Sequence, residues 1–280
     1  SRMIDLDQYR VKPGDRPDLS KIPTRADAGL DAKSDGETLL AANVERIDEL
    51  QGRLWAESRR SVLLVLQGMD TSGKDGTIRK VFTGVNPAAF EIHQFGVPGP
   101  HEIAQDYLWR AHARTPRRGR IGIFNRSHYE DVLVARVAKL VEKPVWKRRY
   151  DHLNDFERML HDEGTSVVKC FLHISREEQF ERLHARIDDP RKNWKLSPSD
   201  FTARADWPEY REAYEDMLER CSTKQAPWYV VPADRKWVRN AIVSQLILAT
   251  LEKIDPKYPE GVEDLEALRT FARDHHDANG

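Results

Sequence analysis

Lys74 follows a glycine-rich turn in the stretch Gln67-Gly68-Met69-Asp70-Thr71-Ser72-Gly73-Lys74-Asp75-Gly76, and this order of residue types is equipped to hold phosphate. A phosphate needs several backbone N–H groups aimed inward together, so the chain must turn tightly with no Cβ in the way. Gly68 and Gly73 meet that need, and the backbone from Gly68 through Thr71, Ser72 and Asp75 to Gly76 supplies the donors. Lys74 reaches the terminal phosphates as a point charge, and the N-terminus of the following helix adds its partial positive charge. The pattern is a Walker A loop with one departure, because Asp75 stands where Ser or Thr usually serves as a magnesium ligand. Asp70 adds a second anion inside the loop. A carboxylate beside phosphate is repulsive unless a divalent cation lies between them, so Asp70 is read as a metal ligand. A plain surface turn would share this composition. The apolar run Ser61 to Leu66 before it and the helix-like segment Thr77 to Phe82 after it favour the phosphate site.

A second set of candidates lies at the end of the strand-like run Arg120 to Phe124, which leads into Asn125-Arg126-Ser127-His128-Tyr129-Glu130-Asp131. A Walker B strand commonly ends in Asp, which serves the metal shell. Asn125 keeps an acceptor there without the charge, which leaves more of the anionic environment to Asp70. Arg126 is placed to hold a phosphate with its planar fork. Asp70, Lys74, Asn125 and Arg126 are therefore the catalytic candidates. Transfer between phosphate anhydrides needs no base, so His128 is read as a structural imidazole. Further along, Arg186, Arg191, Lys192 and Lys195 lie in a cation-rich break with Trp194 inserted. A solvated face is the bland reading, and a mobile lid over about 186–206 is the preferred one.

These groups need a scaffold. Leu40, Val44, Ile47 and Leu54 recur at helical spacing before the first strand, Val62 to Leu66, whose unbroken apolar character suits a central parallel strand. Further strands are expected at Phe90 to Phe95, Arg120 to Phe124, Val167 to Ile174 and Trp228 to Val231. Helices are expected at Glu102 to Ala113, Trp146 to Leu160, Asp206 to Thr223 and Lys236 to Ile254. Ser175 and Glu178 form a capping box for a helix ending near Ile187, and Asp234 is expected to cap the last helix. Ligands bind beyond the carboxyl ends of such strands, which makes Gly96-Val97-Pro98-Gly99-Pro100 a candidate acceptor-site loop. The expected organisation is an extended arm over residues 1–36 lying on the domain surface or on a neighbouring subunit, a domain over 37–254, and a charged, fraying tail over 255–280.

With 280 residues and 39% hydrophobic content, the chain can bury one sizeable core. Its 45 basic and 46 acidic residues nearly cancel. Nucleic acid is not an expected partner, since no recognisable binding module accompanies the cations. The basic residues instead gather at Arg114 to Arg120, Lys143 to Arg149 and Arg182 to Lys195, and these clusters are read as a local track for a polyanion. Cys170 and Cys221 have no metal-ligand spacing and are read as buried thiols in a reducing compartment. No apolar run approaches membrane-spanning length, and a cytoplasmic protein is expected.

Four separated motifs occur together: the loop with its inner Asp70, Phe124-Asn125-Arg126-Ser127-His128-Tyr129-Glu130-Asp131, Asp189-Pro190-x-Lys192-x-Trp194-Lys195, and Ala226-Pro227-Trp228 followed by Asp234-x-Lys236-Trp237. From about residue 37 to residue 254 the chain resembles the polyphosphate kinase 2 family. The resemblance implies a P-loop kinase, thymidylate-kinase-like and α/β in class, with helices on both faces of a central five-stranded parallel sheet and a helical lid. It implies phosphoryl transfer between inorganic polyphosphate and nucleotides with magnesium, or manganese in its place, by a homo-oligomer, a dimer or tetramer. By position, Asp70 and Lys74 match the family's Walker A pair, Arg126 its Walker B arginine, and Arg186, Arg191, Lys192 and Lys195 its basic lid. Asn125 departs from the Asp of many members. With His128 and Tyr129 it resembles the branch that phosphorylates nucleoside mono- and diphosphates. The rival readings are an ATP-dependent nucleoside monophosphate kinase, which would share loop and lid, and a nucleotide-binding module without turnover.

Overall fold

The computed structural model describes residues 3–261 and 264–277, apart from the side chains of Lys195, Ser199, Thr202, Ala203 and Asp277. Its centre is a five-stranded parallel sheet in the order β2-β3-β1-β4-β5, formed by β1 (Ser61–Gln67), β2 (Phe90–Gln94), β3 (Ile121–Asn125), β4 (Thr165–His173) and β5 (Trp228–Pro232). Every residue of β1 is buried. Its side chains alternate between two cores: Val62, Leu64 and Leu66 enter one, Leu63 and Val65 the other. Fully burying each such Val or Leu stabilises the fold by roughly 1.5–3 kcal/mol.

Helices of nine residues or more are numbered α1 to α7 among the described residues. Helices α1 (Lys33–Glu57), α2 (Lys74–Phe82) and α6 (Lys236–Ile254) fill the first core, and α3 (Lys143–Asp162) and α5 (Trp207–Cys221) fill the second. Helix α4 (Arg176–Ile187) follows β4. Short turns at Asn193–Lys195, Pro198–Thr202 and Ala203–Asp206 join it to α5. Pro144 occupies the first turn of α3, where its missing N–H costs nothing, and the helix starts before Trp146 accordingly.

Several local expectations are corrected. The helix expected over Glu102 to Ala113 is two short turns, Pro100–Ile103 and Trp109–His112. Between them Asp106 accepts the Leu108 N–H at 2.9 Å, a local bond that competes with helix continuation. Only half of the capping box forms. Ser175 Oγ accepts from Glu178 N at 3.1 Å, but the Glu178 carboxylate turns to Arg182 Nε at 2.9 Å. Asp234 does not cap α6. Its carboxylate accepts from Ser175 N at 2.9 Å and Thr24 Oγ1 at 2.7 Å, tying β5 to the arm and to the start of α4. The tail is not simply frayed, for Leu265–Asp277 form the amphipathic helix α7.

The arm lies on its own domain. Arg10 bridges antiparallel to Tyr229 at the outer edge of β5, Val11 N donates to Trp228 O at 2.9 Å, and Ile4, Val11, Leu19 and Leu30 are buried. Arg16 reaches Glu219 on α5 at 3.0 Å. A cavity of about 740 Å³ opens between this arm and β5.

Candidate active site

The parallel order brings the carboxyl ends of β1 and β3 side by side, with Leu66 opposite Asn125. The glycine-rich loop and the Asn125-Arg126 tip therefore emerge together. Gly73 has φ of 100° and Thr71 has φ of 65°. Such left-handed residues in a tight turn direct successive N–H groups to one side and build an anion-binding nest. Helix α2 begins at Lys74 itself, with Gly73 as its N-cap. The Arg239 guanidinium packs directly on Gly73, where a Cβ would lie 1.6 Å from Nη1, so any larger residue there would have to displace it.

Lys74 is nearly buried, and its Nζ donates to Gly68 O at 3.0 Å and Met69 O at 3.3 Å. Burial, reinforced by Arg126, lowers its pKa to about 8. Arg126 has φ of 57° at the end of β3. Its N–H donates to Leu66 O at 3.1 Å, while Nη2 meets Asp70 Oδ1 at 2.9 Å and Nη1 lies 3.7 Å from Glu130. Glu130 in turn accepts from Gln67 Nε2 at 3.2 Å, and burial raises its carboxyl pKa. Asn125 Nδ2 donates to Asp75 Oδ1 at 2.5 Å. The two departures from the ordinary loop pattern are thus partners, and an Asp at 125 would set two carboxylates against each other. Gly68, Asp70, Arg126, Glu130, Gln179 and Trp207 are among the lining of a narrow cavity of about 60 Å³.

His128 is buried away from this cavity. Its Nε2 faces Glu157 Oε1 at 2.9 Å. Glu157 also accepts from Tyr129 Oη at 2.6 Å and from Lys169 Nζ at 2.6 Å. This buried network anchors the segment just after Arg126.

The cations beyond α4 are not gathered on the loop. Arg186 sits half-exposed in the last turn of α4. Arg191 and Lys192 are exposed and paired with Asp189 at 3.1 and 2.9 Å. Lys195 belongs to the Asn193–Lys195 turn, and its side chain lies outside the described residues. The three basic clusters do not all lie on this edge, for within Arg114 to Arg120 only Arg114 lies beside Gly96 and Arg110 at the end of β2. Arg117 to Arg120 precede β3 at its amino end, about 16 Å of strand away from Asn125. Lys143 to Arg149 begin α3 on the loop side, where Arg149 Nη1 donates to Asp131 O at 2.8 Å. Gly96 lies beyond β2, whose Gln94 pairs with Asn125, so the candidate acceptor loop shares the carboxyl edge of the sheet. Arg110 Nη1 donates to Gly96 O at 2.8 Å there.

The reading of residues alone missed three groups that touch the loop from outside. Gln179 Nε2 donates to Asp70 O at 3.0 Å, Arg182 Nη1 to Thr71 O at 3.0 Å, and Arg239 Nη1 to Ser72 O at 3.1 Å. Burial, with Arg182 nearby, lowers the Arg239 pKa to about 9. Their signal was faint: Arg239 and Asn240 are polar residues within a largely apolar helix, and Gln179 and Arg182 share one face of α4.

A lysine-bearing glycine loop at the carboxyl end of the central strand, followed by a helix in a sheet of this order, defines a P-loop phosphotransferase. The family model described as Polyphosphate kinase 2 (PPK2) matches residues 30–259. The chain belongs to that family, whose members transfer phosphoryl groups between polyphosphate and nucleotides. It is 49% identical over 256 residues to an AMP/ADP-polyphosphate phosphotransferase of Meiothermus ruber, with 91% of this chain and 96% of that protein covered. It is 43% identical over 269 residues to an ADP-polyphosphate phosphotransferase of Rhodopseudomonas palustris, covering 92% and 93%. The crystal structure of polyphosphate kinase 2 from Arthrobacter aurescens superposes with a TM-score of 0.93 at 38% identity, covering 98% of this chain and 99% of that one. No helix among the described residues is long and apolar enough to cross a membrane.

Proposed function

We propose that the chain moves phosphoryl groups between inorganic polyphosphate and the adenine nucleotides AMP and ADP, in the cytoplasm, as a homo-oligomer. The observation that carries this reading is the convergence of Lys74, Asp70 and Arg126 at the carboxyl edge of β1 and β3. The acceptor choice follows the Meiothermus ruber relative, which is named for AMP and ADP.

In the polyphosphate-to-nucleotide direction the terminal phosphoryl group leaves as its bridging P–O bond breaks, and a terminal phosphate oxygen of the nucleotide forms the new P–O bond. The donor is shortened by one unit and retains the bridging oxygen. The attacking oxygen is already anionic and the bridging oxygen departs as a phosphate anion, so neither a base nor an acid is required, and catalysis consists of in-line positioning and charge neutralisation. Lys74 and the loop amides hold the transferring group, and Arg126 holds an equatorial oxygen after exchanging Asp70 for phosphate.

Magnesium is the proposed cofactor, with manganese as a substitute. No group of three or more His, Cys, Asp or Glu side chains able to hold a metal occurs among the described residues. The Asp70 carboxylate on the cavity beside the loop suits magnesium, which is commonly held by one or two carboxylates together with substrate phosphates and water. Asp70 is the proposed protein ligand. When bound, the ion neutralises charge developing on the phosphate oxygens. The segment 186–206 is proposed as a lid, with Arg186, Arg191, Lys192 and Lys195 meeting the polyanion when it closes and excludes water.

The test is incubation with magnesium and long-chain polyphosphate plus AMP, ADP, GMP or GDP, without ATP, followed by chromatography. ADP and ATP are the expected products. Transfer that appears only when ATP is the donor would overturn the reading, and faster guanine turnover would overturn the base assignment. Light scattering coupled to size exclusion is expected to give a dimer or tetramer mass, against which a monomer would count.

A further inference from the structure

We propose that Gln179, Arg182 and Arg239 are positioning residues of the phosphate loop, gripping the outward carbonyls of three consecutive residues and so fixing the peptide planes that turn the Thr71 and Gly73 N–H groups toward phosphate. The inference rests on the reading of this loop as the phosphoryl-transfer site.

The carbonyl and N–H of one peptide unit point in opposite directions. Fixing a carbonyl on the outer side of a turn therefore turns the next residue's N–H inward. The three donors hold Asp70 O, Thr71 O and Ser72 O, which aims the amides of Thr71 and Gly73 inward, while the Ser72 N–H between them closes the turn on Met69 O at 3.1 Å. Lys74 covers Gly68 O and Met69 O from within the loop. Every carbonyl from Gly68 to Ser72 thus has a side-chain donor, and four different side chains supply them.

Such restraint is needed. Thr71 is not glycine, and its left-handed conformation costs about 1 kcal/mol or more without outside support. Arg182 also binds Ala233 O at 2.7 Å and Asp234 O at 3.0 Å, which fixes its guanidinium between the loop and the end of β5. Arg239 is held by Asn240 Oδ1 at 3.0 Å. Arg182 is neutralised by Glu178 at 2.9 Å and acts through its carbonyl contacts, whereas Arg239 points at carbonyl and amide oxygens, so its charge adds to the potential at the nest.

Gln179 extends the clamp outward. Arg204 Nη1 donates to Gln179 Oε1 at 2.7 Å, which assigns the amide so that Nε2 is the donor to Asp70 O. Arg204 belongs to the turn Ala203–Asp206 just before α5. The placement of that segment is therefore felt at the backbone of Asp70 through one buried amide.

The test uses the full chain and compares Arg239→Met, Arg239→Lys and Gln179→Leu. Turnover with magnesium, polyphosphate and ADP gives kcat and KM. Calorimetric titration with magnesium tripolyphosphate reads the loop even if wild-type turnover is absent, so failure of the functional reading is separable from failure of the clamp. For Arg239→Met and Gln179→Leu we expect kcat at least tenfold lower, tripolyphosphate affinity at least fivefold weaker, and KM for ADP within twofold of wild type. Circular dichroism should remain native. Arg239→Lys, which keeps the charge and one carbonyl bond, should recover several-fold over Arg239→Met. Wild-type tripolyphosphate affinity in folded Gln179→Leu, or in folded Arg239→Met, would overturn the proposal. So would an equal rise in KM for both substrates with kcat unchanged. If Arg239→Met fails to fold, Gln179→Leu decides.

Discussion

Lys74 is the residue whose chemistry is most exposed to solution conditions. Its buried ammonium has a pKa lowered to about 8, so in the free protein it loses its proton as pH rises through that value. Polyphosphate kcat/KM is expected to fall above about pH 8, and pH profiles at low substrate concentration would check it. The stability contribution runs the other way. The unfolded lysine holds its proton to about 10.4, so the unfolded state binds more protons between those limits and Lys74 adds stability as pH rises. Lys74→Ala is expected to keep native circular dichroism and to lose most activity. The Asn125–Asp75 contact at 2.5 Å yields a second test. Asn125→Asp should lower kcat at neutral pH by about tenfold, the effect of roughly 1.4 kcal/mol on a barrier. Adding Asp75→Ser should recover much of the loss, and unchanged kinetics in the single variant would refute the pairing argument.

At the scale of elements, the tip of β3 depends on a buried ionic network behind it. Lys169 and Glu157 pair at 2.6 Å with essentially no exposure. Lys169→Met leaves the Glu157 charge without its counterion, and such a break typically costs about 3–5 kcal/mol. Urea denaturation should show that loss, and a midpoint shift worth less than about 1 kcal/mol would contradict it. The strands were legible beforehand because β1 is covered on both faces and reads as an unbroken apolar run, while turns rich in Gly and Pro separate the others. Lys74, Asp70 and Arg126 were legible because phosphate chemistry demands fixed spacing within one loop or strand tip. What stayed hidden depends on tertiary pairing. Asp234 resembles an N-cap in sequence, yet Thr24 and Ser175 take its oxygens. Nothing local announces that Asn125 meets Asp75 or that Arg239 lies under Gly73. Arg117 to Arg120 misled for the same reason, because sequence proximity to β3 does not tell which end of the strand a cation occupies.

For the whole molecule, the arm acts as a strap over the open edge of β5. Deleting residues through Ser20 removes the burial of Ile4, Val11 and Leu19, each worth roughly 1.5–3 kcal/mol. The expected outcome is a lower urea midpoint followed by tryptophan fluorescence, with loop chemistry retained in the folded fraction because the removed residues do not touch Lys74 or Arg126. A midpoint equal to that of the full chain would show the strap to be dispensable. Chain ends and sheet edges thus govern durability, while the carboxyl edge governs turnover.

The packing of Arg239 against Gly73 also bears on how this chain can vary over generations. A methyl group at 73 would collide with the guanidinium at 1.6 Å, and a shorter residue at 239 would leave Ser72 O without its donor. Changes at these two positions, distant along the chain, are therefore expected to be non-additive, the effect of either one depending on what stands at the other.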